Sequence, residues 1–501
     1  MFPRALRAAC IHAVRPRGRR RLIVLLAGLV AIALWQTSFR NAKLDPTWRL
    51  TASSGLHEEH RFVYFLRHLG LFPVANEIPP EPDTEEGAER WLQTRGDTLV
   101  MELGHTIRYG ELGKTFLYLP YAIWKDRTAR LRVEPTHYLA FTIALLALFT
   151  AFWWARRTLL GGITVVLFGS NPFQLFEVYG NEEVFSWNIT TAILILALHV
   201  PLLLSHPKRA YAIALPIATA LLLATIRQVR TEPILIGGSA LLAYLAVGTI
   251  RQRAISAATF VATLMLASAL CSRWFDAEWE EAQQVVASAG GHPFPGERER
   301  HHLIWHPIWC GLGDFGEDRG YRWDDRAAAA YALPILQSRY GVEIPPLDPK
   351  SYVFDDYVDR AKKYYRVPYL LPHYSDVIRD KVLADVAAHP LWYASIILRR
   401  IGRVLIDSTP IAIAIRGFAI RIPFPGLIAL PIAILACLCV RRHGLALLFI
   451  FPLPLSATAL LIYSGRGVAW YGCFHLLPAA FLLTALVRSL DRARRLGVRG
   501  T

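Results

Sequence analysis

Two adjacent carboxylates, Glu58 and Glu59, lie between His57 and His60 in the stretch SSGLHEEHRFVYFLRHLGLFP. A zinc-protease helix needs HExxH, with its histidines four apart on one helix face. Arg61 stands where the second histidine would be, so that chemistry is excluded. Acid–base work remains: a carboxylate can take the proton of an attacking hydroxyl. Arg227, Arg230 and Arg466 suit the other half of such a transfer. A planar guanidinium binds phosphate oxygens two at a time and stabilises a departing phosphate. Glu182 and Glu183, in EVYGNEEV, could hold an acceptor or a metal, and Tyr471 and His475 follow Arg466 as further substrate-facing groups. His302 and His306 are four apart and could face one metal, but no third ligand follows at a diagnostic spacing. His306 is therefore expected in a packed, hydrogen-bonded or substrate-facing role. No metal ligands are assigned and no cofactor is established by these residues, though a divalent metal is compatible with the acidic turn.

The elements that must position these groups follow from composition. Of 501 residues, 54% are hydrophobic and only 19% charged, and the charges cluster between long apolar runs. That is the pattern of an all-α polytopic membrane protein. A formal charge of +16 could signal nucleic acid. Here the basic residues collect in short loops, as they do on the cytoplasmic side of a membrane, so no nucleic acid is expected. A basic cytoplasmic tail covers 1–21, followed by a first span over 22–39. A cleaved signal peptide is the rival reading of that span, but its apolar run continues past Ala31-Ile32-Ala33. Further spans are expected over 136–155, 159–176, 185–204, 210–226, 233–250, 254–272, 424–440, 444–464 and 473–487, about ten in all. The organisation is then a core of seven spans over 22–272 including an outer loop 40–135, an extracytoplasmic segment 273–422, three spans over 423–487 and a basic cytoplasmic tail 488–501. Every short inner loop carries basic residues, and both termini fall inside.

The two outer segments should form a small, mostly helical domain. In the first, Phe62, Phe65, Leu66 and Leu69 fall at helical spacing, which places Glu58 and Glu59 in the first turn, where the helix dipole favours negative charge. The stretch GKTFLYLPYAIWKDR is too short to span and reads as interfacial, with Tyr121 and Trp124 at headgroup level. In the second segment an Ala-rich helix is expected from Asp324 to Tyr340, after a loop marked by glycines 311, 313, 316 and 320. HPLWYASIILRRIGRVLI reads as a basic helix at the membrane surface. The six cysteines form no CxxC pair, and only Cys310 lies well within an outer segment, so no disulfide scaffold or zinc site is expected.

By this topology Glu58, Glu59, Glu182, Glu183, Arg227, Arg230 and Arg466 share the outer face, the combination needed for glycosyl transfer from a phosphate-linked donor. The layout resembles the GT-C superfamily of membrane glycosyltransferases, near its aminoarabinose-transferase and protein O-mannosyltransferase branch. EEHRF is similar to that family's acidic opening helix, FLYLPYAIW to the close of its first loop, GNEEV to its acidic outer turn and GRGVAWYGCFHLLP to its last outer motif. The family's leading acid is usually Asp, and Glu58 stands in its place, so either Glu58 or Glu59 could be the base. The resemblance implies a polyprenyl-phosphate sugar donor, a cell-envelope glycan, lipid or protein acceptor, and a bacterial cytoplasmic membrane with a periplasmic active site. A ligase or polymerase of lipid-linked glycans would share the outer-face arginines. A transporter or flippase would instead carry charges in mid-span.

Overall fold

The computed structural model describes residues 134–171, 183–205, 209–229, 232–288, 304–316, 318–347, 368–407, 412–415, 418–421, 426–439, 441–452, 454, 461 and 468–497, together with Gly28, Gly113, Leu117, Pro120, Ile123 and Trp124. The described chain is helical apart from one hairpin. Helices α1 (Glu134–Trp154), α2 (Thr158–Ser170), α3 (Glu183–Leu204), α4 (Arg209–Ile226), α5 (Ile236–Ala246) and α6 (Ile250–Ser288) come first. Then follow α7 (Trp305–Leu312), α8 (Asp325–Tyr340), α9 (Tyr374–Ala388) and α10 (Pro390–Asp407). Strands β1 (Ala412–Ile415) and β2 (Phe418–Arg421) pair antiparallel, with Ala412 opposite Arg421. Helices α11 (Gly426–Cys439), α12 (His443–Ile450) and α13 (Val468–Gly497) close the chain.

Two separate cores form. The larger lies among α1 to α6 and α11 to α13, around Phe141, Phe152, Phe168, Leu223 and Leu477. Helix α1 packs on α2 and α3, α4 on α6, and α13 on α2 and α11. These helices are apolar on nearly all sides, which suits burial on one face and lipid on the other. Met265, Leu266, Leu242 and Leu435 are all more than half exposed on the outside of the bundle. The second core lies among α7 to α10, around Trp309, Tyr321, Leu336, Tyr374 and Ile378.

The helices follow the predicted spans closely from α1 to α5. Among the described residues, two stretches, 136–154 and 250–281, are long and apolar enough by themselves to cross a membrane. Shorter apolar helices cover 158–170, 189–204, 213–226, 233–246 and 428–439. Helix α6 departs from expectation. The predicted domain boundary at 272/273 lies in mid-helix, and α6 continues to Ser288. Hydropathy falls at Arg273, but RWFDAEWEEAQQVV contains no glycine or proline, so the backbone has no reason to stop. For the same reason α13 runs past the predicted end of the last span, through Asp491 and the basic residues, to Gly497. The β1–β2 hairpin was not expected. It contacts α2, and β1 alternates Ala and Ile, with a β-branched residue at every second position.

In the second segment the Ala-rich helix is where the sequence places it. The Asp324 side chain caps α8 by accepting from the Arg326 N–H at 2.9 Å, and Gly341 ends it in the left-handed region at φ 62°. Gly311 lies within α7 rather than in the predicted loop, while Gly316 and Gly320 adopt positive φ beyond it. Helix α10 is the predicted amphipathic basic helix. It packs on α9 at one side and on α11 and α13 at the other, joining the two cores.

Close packing sets a testable contrast between two glycines. A Cβ on Gly444 would collide with the Leu203 carbonyl oxygen, a backbone atom that cannot swing away, whereas a Cβ on Gly238 meets nothing within 4 Å. Gly444→Ala should therefore cost about 1–3 kcal/mol or more through overpacking. Gly238→Ala, in the interior of α5, should gain about 0.5–1 kcal/mol of helix propensity. Thermal unfolding of the purified variants checks both signs.

Candidate functional site

Among the described residues, a polar cluster of imidazole, thiol, carboxylate and phenol is built on α7. The segment WHPIWCGL is one short helix, and its i, i+4 spacing puts His306 and Cys310 on the same face. Asp325, the first residue of α8, and Tyr374, the first of α9, complete the cluster. His306 Nε2 lies 3.0 Å from Asp325 Oδ1, and His306 Nδ1 lies 2.9 Å from the Tyr374 hydroxyl. The Cys310 Sγ is 3.9 Å from the same Nε2 and 3.7 Å from the same Oδ1. Both ring nitrogens of the imidazole are thus engaged, one on each side. His306, Cys310 and Tyr374 are buried, while the Asp325 side chain is 58% exposed and opens the cluster to solvent.

The electrostatics follow from this arrangement. The hydrogen bond from His306 holds the Asp325 carboxyl below its ordinary range, against the opposing effect of burial. Burial, reinforced by the Asp325 charge, pushes the Cys310 thiol up to about 12. Unaided by a cation, this cysteine is a protonated thiol and not a nucleophile. The donor set of imidazole, thiol and carboxylate is one that could hold a transition metal.

Two further polar groups frame the cluster from within the same core. Lys381 pairs with Asp385 at 2.8 Å and lies over Tyr321, Tyr331 and Trp309 at 5.1, 5.1 and 5.7 Å from their centroids. Asp385 also accepts from the Tyr321 hydroxyl at 2.8 Å. Burial alone would raise the Asp385 carboxyl, but these two donors hold it below its ordinary range. At the far end of α7, Arg400 of α10 is completely buried, donates to the Gly311 carbonyl and lies 3.6 Å from Asp314 Oδ2. That distance is too long for a hydrogen bond, and Oδ2 accepts none among the described residues. Burial therefore dominates and pushes the Asp314 carboxyl up to about 7, against the pull of Arg400 and Arg403.

Of the residues singled out from the sequence, Glu58, Glu59, Glu182, Arg230, Arg466 and His302 lie outside the described residues, as do the side chains of Glu183 and Tyr471. Arg227 forms the turn that follows α4, half-buried, its N–H bonded to the Leu223 carbonyl at 3.0 Å. The next residue, Gln228, accepts through its carbonyl from the Gly113 N–H at 2.8 Å, which brings part of the predicted outer loop against this turn. His475 is completely buried in α13, beside Leu476 and Leu477 of the larger core. The structure thus places His306 and His475 in different cores, and Arg227 in the bundle rather than with His306. Cys310, Asp325 and Tyr374 were missed as partners of His306. Their separations of 4, 19 and 68 residues match no metal or catalytic motif, and only the fold brings them together.

The bundle also contains a cavity of about 1260 Å³ between α1, α3 and α4. Ile143, Leu146, Leu194, Leu198 and Leu222 line it, with Arg156, Ser205 and Tyr211 towards one end. Ile143 and Trp154 on its rim are at least half exposed, so it opens on the flank of the bundle. In comparisons with known proteins, no family model, curated protein or solved structure matches the chain.

The Asp314 carboxyl generates a pH test. The folded chain keeps this proton up to about 7, whereas an unfolded aspartate releases it near 3.8. The folded form therefore binds more protons between those values, and its contribution to stability is full below pH 3.8 and lost as pH rises through 7. Asp314→Asn should flatten that decline, read as the melting temperature of the α7–α10 core between pH 5 and 8 (about one pH unit inside and outside the window). An equal slope in the variant would show that Asp314 does not hold the proton.

Proposed function

We propose that the chain is an integral membrane glycosyltransferase with about ten spans and both termini in the cytoplasm. It moves a sugar from a polyprenyl-phosphate-linked donor to a lipid, glycan or protein acceptor at the outer face of a bacterial cytoplasmic membrane. Either Glu58 or Glu59 is the base that deprotonates the acceptor hydroxyl. Arg227, Arg230 and Arg466 hold the donor phosphate, and Glu182 or Glu183 contacts the acceptor.

The observation that carries this reading is the apolar cavity along α4. Its walls are aliphatic, it opens where bilayer lipid would lie, and it is large enough for several isoprene units. Helix α4 runs from Tyr211 at one end of the cavity past Leu222 to Arg227 one turn beyond. A lipid tail lodged there would run along the helix that leads to Arg227. The Gly113–Gln228 hydrogen bond adds support, since the same outer loop carries Glu58 and Glu59 and meets the chain beside Arg227. A solute pathway would need polar walls along the cavity, and these are hydrocarbon except at the Arg156 end.

Sugar transfer in membranes tests the assignment. Replacing the base with glutamine should lower the rate by about 10²–10⁴-fold, so one of Glu58→Gln and Glu59→Gln should lose most activity. Ala147→Phe, which fills the cavity, should raise KM for the lipid-linked donor and reduce the amount that stays bound on purification. Full activity in both glutamine variants would eliminate the proposed base.

A further inference from the structure

The three donor atoms of the α7–α8 cluster form a closed triangle with sides of 3.0, 3.7 and 3.9 Å between His306 Nε2, Asp325 Oδ1 and Cys310 Sγ. A point equidistant from the corners of such a triangle lies about 2.1 Å from each, against Zn–N and Zn–O distances of about 2.0–2.2 Å and Zn–S of about 2.3 Å. That point lies in the plane of the three donors; a tetrahedral ion, whose donors stand about 3.3–3.6 Å apart at these bond lengths, needs side-chain shifts of a few tenths of an ångström but no movement of the helices. The remaining imidazole nitrogen provides a second, independent observation. Nδ1 faces the hydroxyl of the fully buried Tyr374 at 2.9 Å, the outer-shell partner that fixes the ring orientation of a metal-bound histidine.

We infer that His306, Cys310 and Asp325 form a zinc site, with Tyr374 orienting His306 as the acceptor of its Nδ1–H. A mixed nitrogen, sulfur and oxygen set favours zinc over calcium or magnesium, which take oxygen ligands. On binding, the thiol gives up its proton to solvent and the imidazole proton moves from Nε2, where it meets Asp325, to Nδ1, where the Tyr374 hydroxyl turns to accept it; the thiolate, the freed Nε2 and the carboxylate then bind the ion, so the Asp325–His306 hydrogen bond is replaced by two metal bonds. Three protein ligands leave a fourth position on the side where Asp325 meets solvent. That position takes water or another exchangeable oxygen ligand, the layout of an open zinc site rather than a closed structural one. The inference does not rest on the transferase reading; of the residues read from the sequence as substrate-facing it uses His306 alone.

Cobalt provides the test, because a thiolate bound to Co²⁺ gives a near-ultraviolet charge-transfer band that nitrogen and oxygen ligands do not. The full-length protein, purified in detergent and stripped with chelator, is titrated with Co²⁺ and then with Zn²⁺. One cobalt per chain with a charge-transfer band, displaced by zinc, is expected. Cys310→Ser should abolish the band while leaving weaker binding through His306 and Asp325. Tyr374→Phe should keep the band and weaken affinity by about 10–100-fold. The inference is overturned if the folded wild-type protein takes up no cobalt, if its cobalt shows no thiolate band, or if the band survives in Cys310→Ser. Wild-type circular dichroism before and after stripping separates loss of metal from loss of fold.

Discussion

A completely buried arginine ties the small core to the bundle. Arg400 extends from α10 into the end of α7, where its guanidinium meets the Gly311 carbonyl and Asp314. A charge in that position is tolerated only while its partners remain, because removing one leaves an uncompensated ion out of water. Helix α10 also packs on α11 and α13, so this contact fixes α7 relative to the bundle. Leu391 and Leu398 on the same helix are largely exposed, so one face of this amphipathic helix is apolar and open while its guanidinium reaches inward.

The polar cluster depends on that anchor through a single helical turn. Gly311 directly follows Cys310, so whatever holds the Gly311 carbonyl also sets the depth of the Cys310 sulfur. On the other side Tyr374 and Asp325 enter from the first residues of α9 and α8, positions fixed by the Asp324 cap on α8 and by the packing of Trp309, Leu336 and Ile378. Lys381 fills what would otherwise be an aromatic pocket in this layer and is neutralised by Asp385. The small core thus pairs Lys381 with Asp385, sets Arg400 against the Gly311 carbonyl and leaves one edge, at Asp325, in contact with water.

Much of this fold could be read from residue types and spacing. Apolar runs located α1 to α5 and α11, the Asp324 cap and Gly341 bracketed α8, and the alternation of Leu, Ile and Arg marked α10 as two-faced. Hydropathy failed where composition changed without a change of backbone preference, at Arg273 in α6 and at Arg488 in α13, since a helix does not end because its side chains become charged. The hairpin escaped notice because IAIAIRGFAIRI looks like the approach to a span until its register is paired. The cluster on α7 was half legible. His306 stood out, but its true partners are brought to it by tertiary packing, whereas the helical neighbour suggested by spacing was His302.

Helix α6 has a mechanical consequence. Its 39 residues span about 58 Å without interruption, from the bundle to the entrance of the small core. A connection of this kind has no hinge, so it behaves as a beam and not as a tether. A tilt of about 5° at the bundle end would displace the far end by about 5 Å at that length, close to the spacing of one helical turn. Any rearrangement of α4, which packs along α6, would therefore be carried mechanically to the small core rather than absorbed in a flexible joint.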